Sequence, residues 1–234
     1  MVVEEIVCIF MPCLTAAVFL AGIVSRIKNW NRAGAARLPL FPTPATSREK
    51  WKRILLESLT FEQLSDGNRS LWIGTSVFHL FLFMVLIGHI MLISNFTLLW
   101  KYLGFENGRG DKIGSAIGGT AGLILLASAI YLLIRRFASV RVREISGVED
   151  YASIVLILAV VISGDFVRFS SNFDPASVRE FCSGLVGLRI TAIPRDPCFL
   201  LHLFLAQVLI MYIPFSKFLH IPGVFYTKSV LYQS

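Results

Sequence analysis

Five long apolar runs constrain this chain more than any other feature; they fall at roughly 6–25, 71–99, 113–134, 151–169 and 198–219. A helix needs about 18–20 apolar residues to cross the hydrocarbon core of a bilayer. In lipid the backbone must satisfy its own polar groups, which only helices and closed barrels do. The runs lack the period-2 alternation of a barrel strand, so the expected fold is an all-α integral membrane protein with five transmembrane helices. Charged residues make up only 16% of the sequence, against roughly 25% in a soluble domain. The first run opens on Glu4 and Glu5 rather than a basic segment, with no small-residue cleavage site before the basic stretch that follows. It reads as a retained anchor rather than a cleaved leader.

The basic residues set an expected orientation. The stretch 26–70 holds Arg26, Lys28, Arg32, Lys50, Lys52 and Arg53 among others, the third connection holds Arg135, Arg136, Arg141 and Arg143, and the tail adds Lys217 and Lys228. That side carries 15 of the 22 Lys and Arg residues; the other has Lys101, Arg109, Lys112, Arg168, Arg179, Arg189 and Arg195. Positive residues stay on the cytoplasmic side. The N-terminus is therefore expected outside and the C-terminus in the cytoplasm of a multi-pass protein of the cell (cytoplasmic) membrane. This asymmetry accounts for the net charge of +7 without nucleic-acid binding. The lipid bilayer is the partner that composition implies.

The chain reads as one membrane domain, 1–234, with a cytoplasmic insert at 26–70 and an outer loop at 170–197. The insert begins with a Pro-rich stretch, 38–44, that excludes helix. After Ser47, a charged run from Arg48 to Leu64 spaces Trp51, Ile54, Leu55 and Leu59 at helical intervals. Such a helix suits the membrane surface or a docked cytoplasmic subunit. In the outer loop, Asp174 and Pro175 resemble an N-cap and first helical residue, with a short helix expected over 176–187. Cys8 and Cys13 read as packing residues. Cys182 and Cys198 are placed to pair if the outer compartment is oxidising.

All four histidines belong to two runs: His79 and His89 to the second, His202 and His220 to the fifth. Ionisable residues within a membrane are costly and usually functional. One histidine is commonly a helix–helix hydrogen bond; four confined to two helices point to a site. The second and fifth spans run antiparallel, so depth pairs His79 with His220 towards the cytoplasm and His89 with His202 towards the outside. Zinc would want four ligands and more sulfur or carboxylate. Haem brings four nitrogens and needs one axial imidazole from each side. Without a CxxCH motif attachment is not covalent, so the expected cofactors are two haem b groups. His79 and His89 are ten residues apart, about 15 Å of helical rise, while His202 and His220 are eighteen apart, about 27 Å. A kink at Pro214 is expected to absorb the mismatch.

These residues carry a resemblance. The histidine spacing of ten and eighteen, with Gly88 directly before His89, is similar to the gamma subunit of respiratory nitrate reductase, a five-span dihaem cytochrome b. The segments IPFSKFLH at 213–220, GVFY at 223–226 and DPASVRE at 174–180 resemble the DsrM-type cytochrome b of the membrane complex associated with dissimilatory sulfite reductase. They also resemble related cytochromes of heterodisulfide-reductase-like, menaquinol-oxidising complexes. The resemblance implies that menaquinol is oxidised near an outer haem held by His89 and His202. Electrons then pass to an inner haem held by His79 and His220, and on to a cytoplasmic iron–sulfur subunit. Further membrane subunits, or outer cytochrome c or iron–sulfur subunits, belong to such assemblies. It also places a quinol-binding cation between the second and third spans, where Arg109 and Lys112 stand. The chain has no cysteine clusters for iron–sulfur centres, so terminal chemistry falls to a partner and the chain itself is an electron-transfer subunit.

Asp165 and Arg168 are three apart on one helical face. The plain reading is a mutual ion pair; the sharper one has Asp165 accept a quinol proton or Arg168 neutralise a haem propionate. With Gly88, Arg109 and Lys112 they complete the quinol-site candidates. Gly114, Gly118 and Gly122 have small-xxx-small spacing, which favours close helix packing. The alternatives are a true nitrate reductase gamma subunit and, from another class, a haem-free transporter or assembly factor. Transporters usually show inverted repeats and broken helices, and this sequence shows no such symmetry.

Overall fold

The computed structural model describes the chain apart from residues 1, 34–45, 62–63, 65–66, 94–101, 103, 105–108, 170–174, 190 and 232–234. The Pro-rich stretch 38–44 and Asp174 lie outside the described residues. The helices are α1 (Val2–Glu5), α2 (Met11–Ala33), α3 (Ser47–Thr60), α4 (Arg69–Ile93), α5 (Arg109–Ala138), α6 (Val140–Glu144), α7 (Val148–Phe169), α8 (Pro175–Val186), α9 (Pro197–Tyr212) and α10 (His220–Leu231). Among the described residues there is no strand. Five helical stretches are long and apolar enough to cross a membrane: Val3–Arg32, Arg69–Met91, Lys112–Ala138, Val148–Phe169 and Pro197–Phe215. They bear out five apolar spans; the first continues to Arg32, and residues 94–99 of the second run lie outside the described residues. The protein is therefore a multi-pass membrane protein.

The chain forms two compact units, one of Met1–Cys13 with Val77–Leu209, the other of Leu14–Ser76 with Ile210–Ser234. In the first, α5 packs along α7. Phe78, Leu125, Ala129 and Leu158 form one buried cluster. Gly118 and Gly122 of the expected spacing, together with Gly119, lie where the two helices meet. A Cβ at Gly118 would touch the Arg168 guanidinium at 3.4 Å, one at Gly119 the Phe169 ring at 3.3 Å, and one at Gly122 would collide with the Asp165 carboxylate. The side chains of α7 thus lie in a groove that the glycines leave open. A second cluster joins Cys8, Val167, Val178, Phe181 and Phe199, with Cys182 and Cys198 packed against it and no disulfide between them. Burial pushes the Cys182 thiol above its ordinary pKa. Helix α8 occupies the place expected for a short helix after Pro175.

Between α1 and α2, Ile6–Phe10 is a π-helical turn in which Met11 N–H bonds to Ile6 C=O. The wider turn precedes Pro12, whose ring and missing N–H disfavour regular helix at that point. It leaves Val7 C=O without its usual Met11 partner, and buried Gln207 on α9 donates to that carbonyl at 3.0 Å.

In the second unit, α3 starts one residue before the expected run. Thr46, in extended conformation, caps it by accepting from Glu49 N–H at 3.2 Å. It ends at Thr60 rather than at Leu64, because Phe61 adopts a left-handed φ of 50°. The freed Thr60 carbonyl accepts from Trp72 Nε1–H at 2.8 Å. Ile54 is buried while Trp51, Leu55 and Leu59 are exposed. Glu57 takes hydrogen bonds from Lys228 of α10 at 2.6 Å and from Arg53 at 2.8 Å. Burial alone would raise the Glu57 carboxyl, but the two cations outweigh it and hold it below the usual carboxylate range.

The fifth run differs from its expectation. It does not continue to 219 with a kink; α9 stops at Tyr212, and two 3-10 turns follow, Ile213–Phe215 and Lys217–Leu219, separated by an extended Ser216. Ser216 Oγ caps the second turn by accepting from Phe218 N–H at 3.2 Å and donates to Ile213 C=O at 3.1 Å. Pro214 is fully buried, and its carbonyl accepts from Arg26 Nε of α2 at 2.9 Å. The carbonyl released by the break is thereby satisfied, as a buried backbone group requires. Eighteen residues of uniform helical rise therefore do not separate His202 from His220.

Candidate functional site

His89 sits on α4 and His202 on α9, and the fold brings their rings together with centroids 6.0 Å apart and planes 33° from parallel. Two metal–imidazole bonds of about 2 Å each, plus roughly 1.1 Å from each nitrogen back to its ring centroid, call for about 6.2 Å. The pair is thus spaced for one metal ion between two imidazoles. Among the described residues no group of three or more His, Cys, Asp or Glu side chains converges on a common point. The donor set suits a group that needs only two protein ligands, as haem does.

Hydrogen bonding adds a second fit. A backbone carbonyl only accepts, so an imidazole nitrogen bonded to one must carry the proton. His89 Nδ1–H donates to Val85 C=O at 2.8 Å, and His220 Nδ1–H to Lys217 C=O at 3.1 Å. In a neutral His89 ring the second nitrogen, Nε2, then carries the lone pair, the arrangement a metal-ligating histidine uses. On the α7 side, His202 Nδ1 lies 3.1 Å from Ser163 Oγ. A Cβ added at Gly164 would meet His202 Cε1 at 3.0 Å, so the ring rests directly on the α7 backbone.

Depth pairing joined His89 to His202, and these two are adjacent. His79 belongs to the first unit, beside the edge of the Phe78 ring at 5.2 Å; His220 belongs to the second. His220 borders a groove of about 420 Å³ whose lining includes Trp30, Gly223, Tyr226 and Lys228. Trp30 and Tyr226 stack there at 5.5 Å.

The quinol candidates are placed differently from one another. Arg168 does not pair with Asp165, as the plain reading expected. Its guanidinium reaches across to α5 and donates to Ser115 Oγ at 2.9 Å and to the Ser115 carbonyl. Asp165 Oδ2 is buried with no hydrogen-bond partner among the described residues. Gly88 is open on its Cβ side, with no atom within 4 Å. Lys112 is exposed near the start of α5, and the Arg109 side chain lies outside the described residues. Arg136 is engaged locally: it donates to Ser146 Oγ at 2.7 Å, stands 3.7 Å from Asp150 and lies over the Tyr151 ring. Sequence reasoning missed Ser163 and Gly164. Their signal is a small polar–glycine doublet inside an otherwise bulky apolar run.

Helices long and apolar enough to span a membrane, with two histidine rings brought close together on α4 and α9, define a multi-pass membrane protein. The family model for the nitrate reductase gamma subunit matches residues 60–232, and the chain belongs to that family. It is 29% identical to the Hdr-like menaquinol oxidoreductase cytochrome b-like subunit of Archaeoglobus fulgidus, over 94% of this chain and 77% of that one. Its identity to the protein of the same description from Archaeoglobus profundus is 24%, over 94% and 76%. The nitrate reductase gamma chain of Bacillus subtilis is 26% identical over 68% of this chain and 77% of its own length.

Proposed function

We propose that the whole chain acts as one dihaem cytochrome b domain, the membrane subunit of a menaquinol-oxidising complex. The adjacency of His89 and His202, with the His89 Nδ1 already occupied, is the observation that carries this reading. These two hold the outer haem, and His79 and His220 the inner one. Haem b supplies one-electron transfer at each level. The Lys and Arg asymmetry puts the N-terminus outside and the C-terminus in the cytoplasm. Electrons leave towards a cytoplasmic iron–sulfur subunit of the heterodisulfide reductase kind, in sulfur or sulfate respiration. Names of the archaeal relatives support the quinol, the cytochrome and the complex. Further membrane or outer cytochrome c and iron–sulfur subunits complete the assembly.

Quinol oxidation releases protons as well as electrons. Asp165 is the acceptor this chain offers, since its Oδ2 has no other hydrogen-bond partner among the described residues. Arg168, fixed on Ser115, adds positive charge one helical turn away. Gly88, Arg109 and Lys112 complete the proposed site. The second reading, a nitrate reductase gamma subunit with a molybdenum-enzyme partner, rests on the Bacillus subtilis relative. Co-purified partners separate the two.

Pyridine haemochrome analysis of the purified chain tests the core claim. Two b haems per polypeptide are expected, with one lost in each single His→Ala variant. A folded preparation from a haem-competent host that carries none would overturn it in favour of transport or assembly. Asp165→Asn is expected to slow quinol oxidation without loss of haem.

A further inference from the structure

The inner face of α7 contributes a side chain to His202 that the ligand pairing does not require. Ser163 is buried, 5% exposed, and its Oγ has two neighbours: Val160 C=O at 2.9 Å and His202 Nδ1 at 3.1 Å. A hydroxyl owns one hydrogen and two lone pairs. The Val160 carbonyl accepts only, so the Ser163 hydrogen points there. Ser163 Oγ is left to accept from His202 Nδ1–H. The alternative, in which Ser163 donates to Nδ1, would put the ring proton on Nε2 and remove that nitrogen as a ligand.

We propose that Ser163 is the positioning residue of the His202 imidazole: through the Val160–Ser163–His202 chain it fixes the Nδ1–H tautomer and holds Nε2 free for haem iron. This rests on the reading of His202 as an axial ligand. Three features of α7 act together. The Val160 carbonyl orients the hydroxyl, the hydroxyl orients the imidazole, and Gly164 lets the ring rest on the helix. His89 and His220 instead donate from Nδ1 to backbone carbonyls close in sequence, Val85 on α4 and Lys217 in the 3-10 turn before α10. His202 takes its partners from another helix, Ser163 Oγ and the nearby Val160 carbonyl of α7, and Ser163 is the one of the two that a point substitution can remove.

An accepting group at Nδ1–H makes an imidazole more basic and so favours ferric over ferrous iron. Its removal raises the potential of that haem alone. Thr and Val have the same shape but differ in the hydroxyl, so Ser163→Thr against Ser163→Val isolates the hydrogen bond from packing. The assay is a redox titration of the purified full chain in detergent, with haem per polypeptide and the low-spin electron paramagnetic resonance spectrum taken in parallel. Ser163→Thr is expected to keep both couples. Ser163→Val is expected to raise the potential of one couple by about 59 mV for one electron, a roughly tenfold fall in its oxidised-to-reduced ratio at a fixed poise, or to lose that haem. The affected couple is the one His202→Ala removes. Ser163→Ala adds no volume and carries the same expectation if both larger side chains evict the haem. Coincident titrations of the Thr and Val variants, or an unshifted Ala variant where both evict it, overturn the proposal while His202→Ala still loses one haem. If His202→Ala retains both haems with unchanged spectra, the ligand assignment itself fails.

Discussion

Gly164→Ala tests the seating of His202 without touching any polar atom. The added Cβ would lie 3.0 Å from His202 Cε1 and 3.4 Å from Nδ1. Carbon atoms rest about 3.5–4.0 Å apart, so the ring edge must retreat by roughly 0.5–1 Å. A binding constellation tolerates about 0.5 Å before it loses its geometry. The Gly164 backbone belongs to α7, which is packed along α5, so the ring is the part free to move. Overpacking of this size costs about 1–3 kcal/mol. At about 1.4 kcal/mol per decade, that is roughly a 5- to 150-fold weaker site. Pyridine haemochrome titration during haem reconstitution should show one of two b haems binding more weakly and the other unchanged. Equal affinity for both haems, with an unaltered visible spectrum, would refute the claim that His202 rests on the α7 backbone in the loaded protein.

Other substitutions probe the frame around the site. Gly22→Ala places a Cβ 2.5 Å from that of Pro214, a rigid neighbour, and should lower the thermal unfolding midpoint in detergent by the equivalent of about 1–3 kcal/mol. Gly88→Ala meets nothing within 4 Å, and should leave the midpoint unchanged or raise it through better helix propensity. Arg26→Ala leaves the buried Pro214 carbonyl unpaired, for a loss of about 1–3 kcal/mol by the same measurement. Glu57 is held below its unfolded value near 4.3 by Lys228 and Arg53. Its stabilisation is full above that pH and disappears as pH falls through the lower, folded value. Glu57→Gln should flatten that part of the stability–pH curve and cost about 1 kcal/mol or less at neutral pH; an unchanged acid limb would disprove the linkage.

The spans were legible in the sequence because length and apolarity are properties of contiguous residues. The nearness of the His89 and His202 rings was an expectation of the antiparallel spans, and the fold places their centroids 6.0 Å apart. What the sequence hid depends on contacts between helices. Pro214 announced a disturbance, but a proline allows either a kink or a break. Ser216 as a cap and Arg26 as donor to the orphaned carbonyl decide for a break. Asp165 and Arg168 looked like partners by their spacing, yet the groove left by Gly118, Gly119 and Gly122 gave Arg168 a better one in Ser115. Leu64 fitted the period of α3, but a left-handed Phe61 ended the helix first, and periodicity does not register one residue's φ. Ser163 was invisible because a serine in a membrane helix commonly bonds to its own backbone; only the position of α9 gives its remaining lone pair a role.

The fit of α7 into the α5 groove bears on how the chain enters the membrane. A charged residue at the centre of a span costs about 2.5–3.5 kcal/mol to insert, less towards the ends, and α7 carries both Asp165 and Arg168. Ser115 and the glycines that receive them belong to α5, which leaves the ribosome earlier. When α7 follows, its guanidinium meets a hydroxyl and a carbonyl already in place. The two helices and the short α6 turn between them thus form a natural unit of biogenesis, in which the earlier helix acts as the template for the later one.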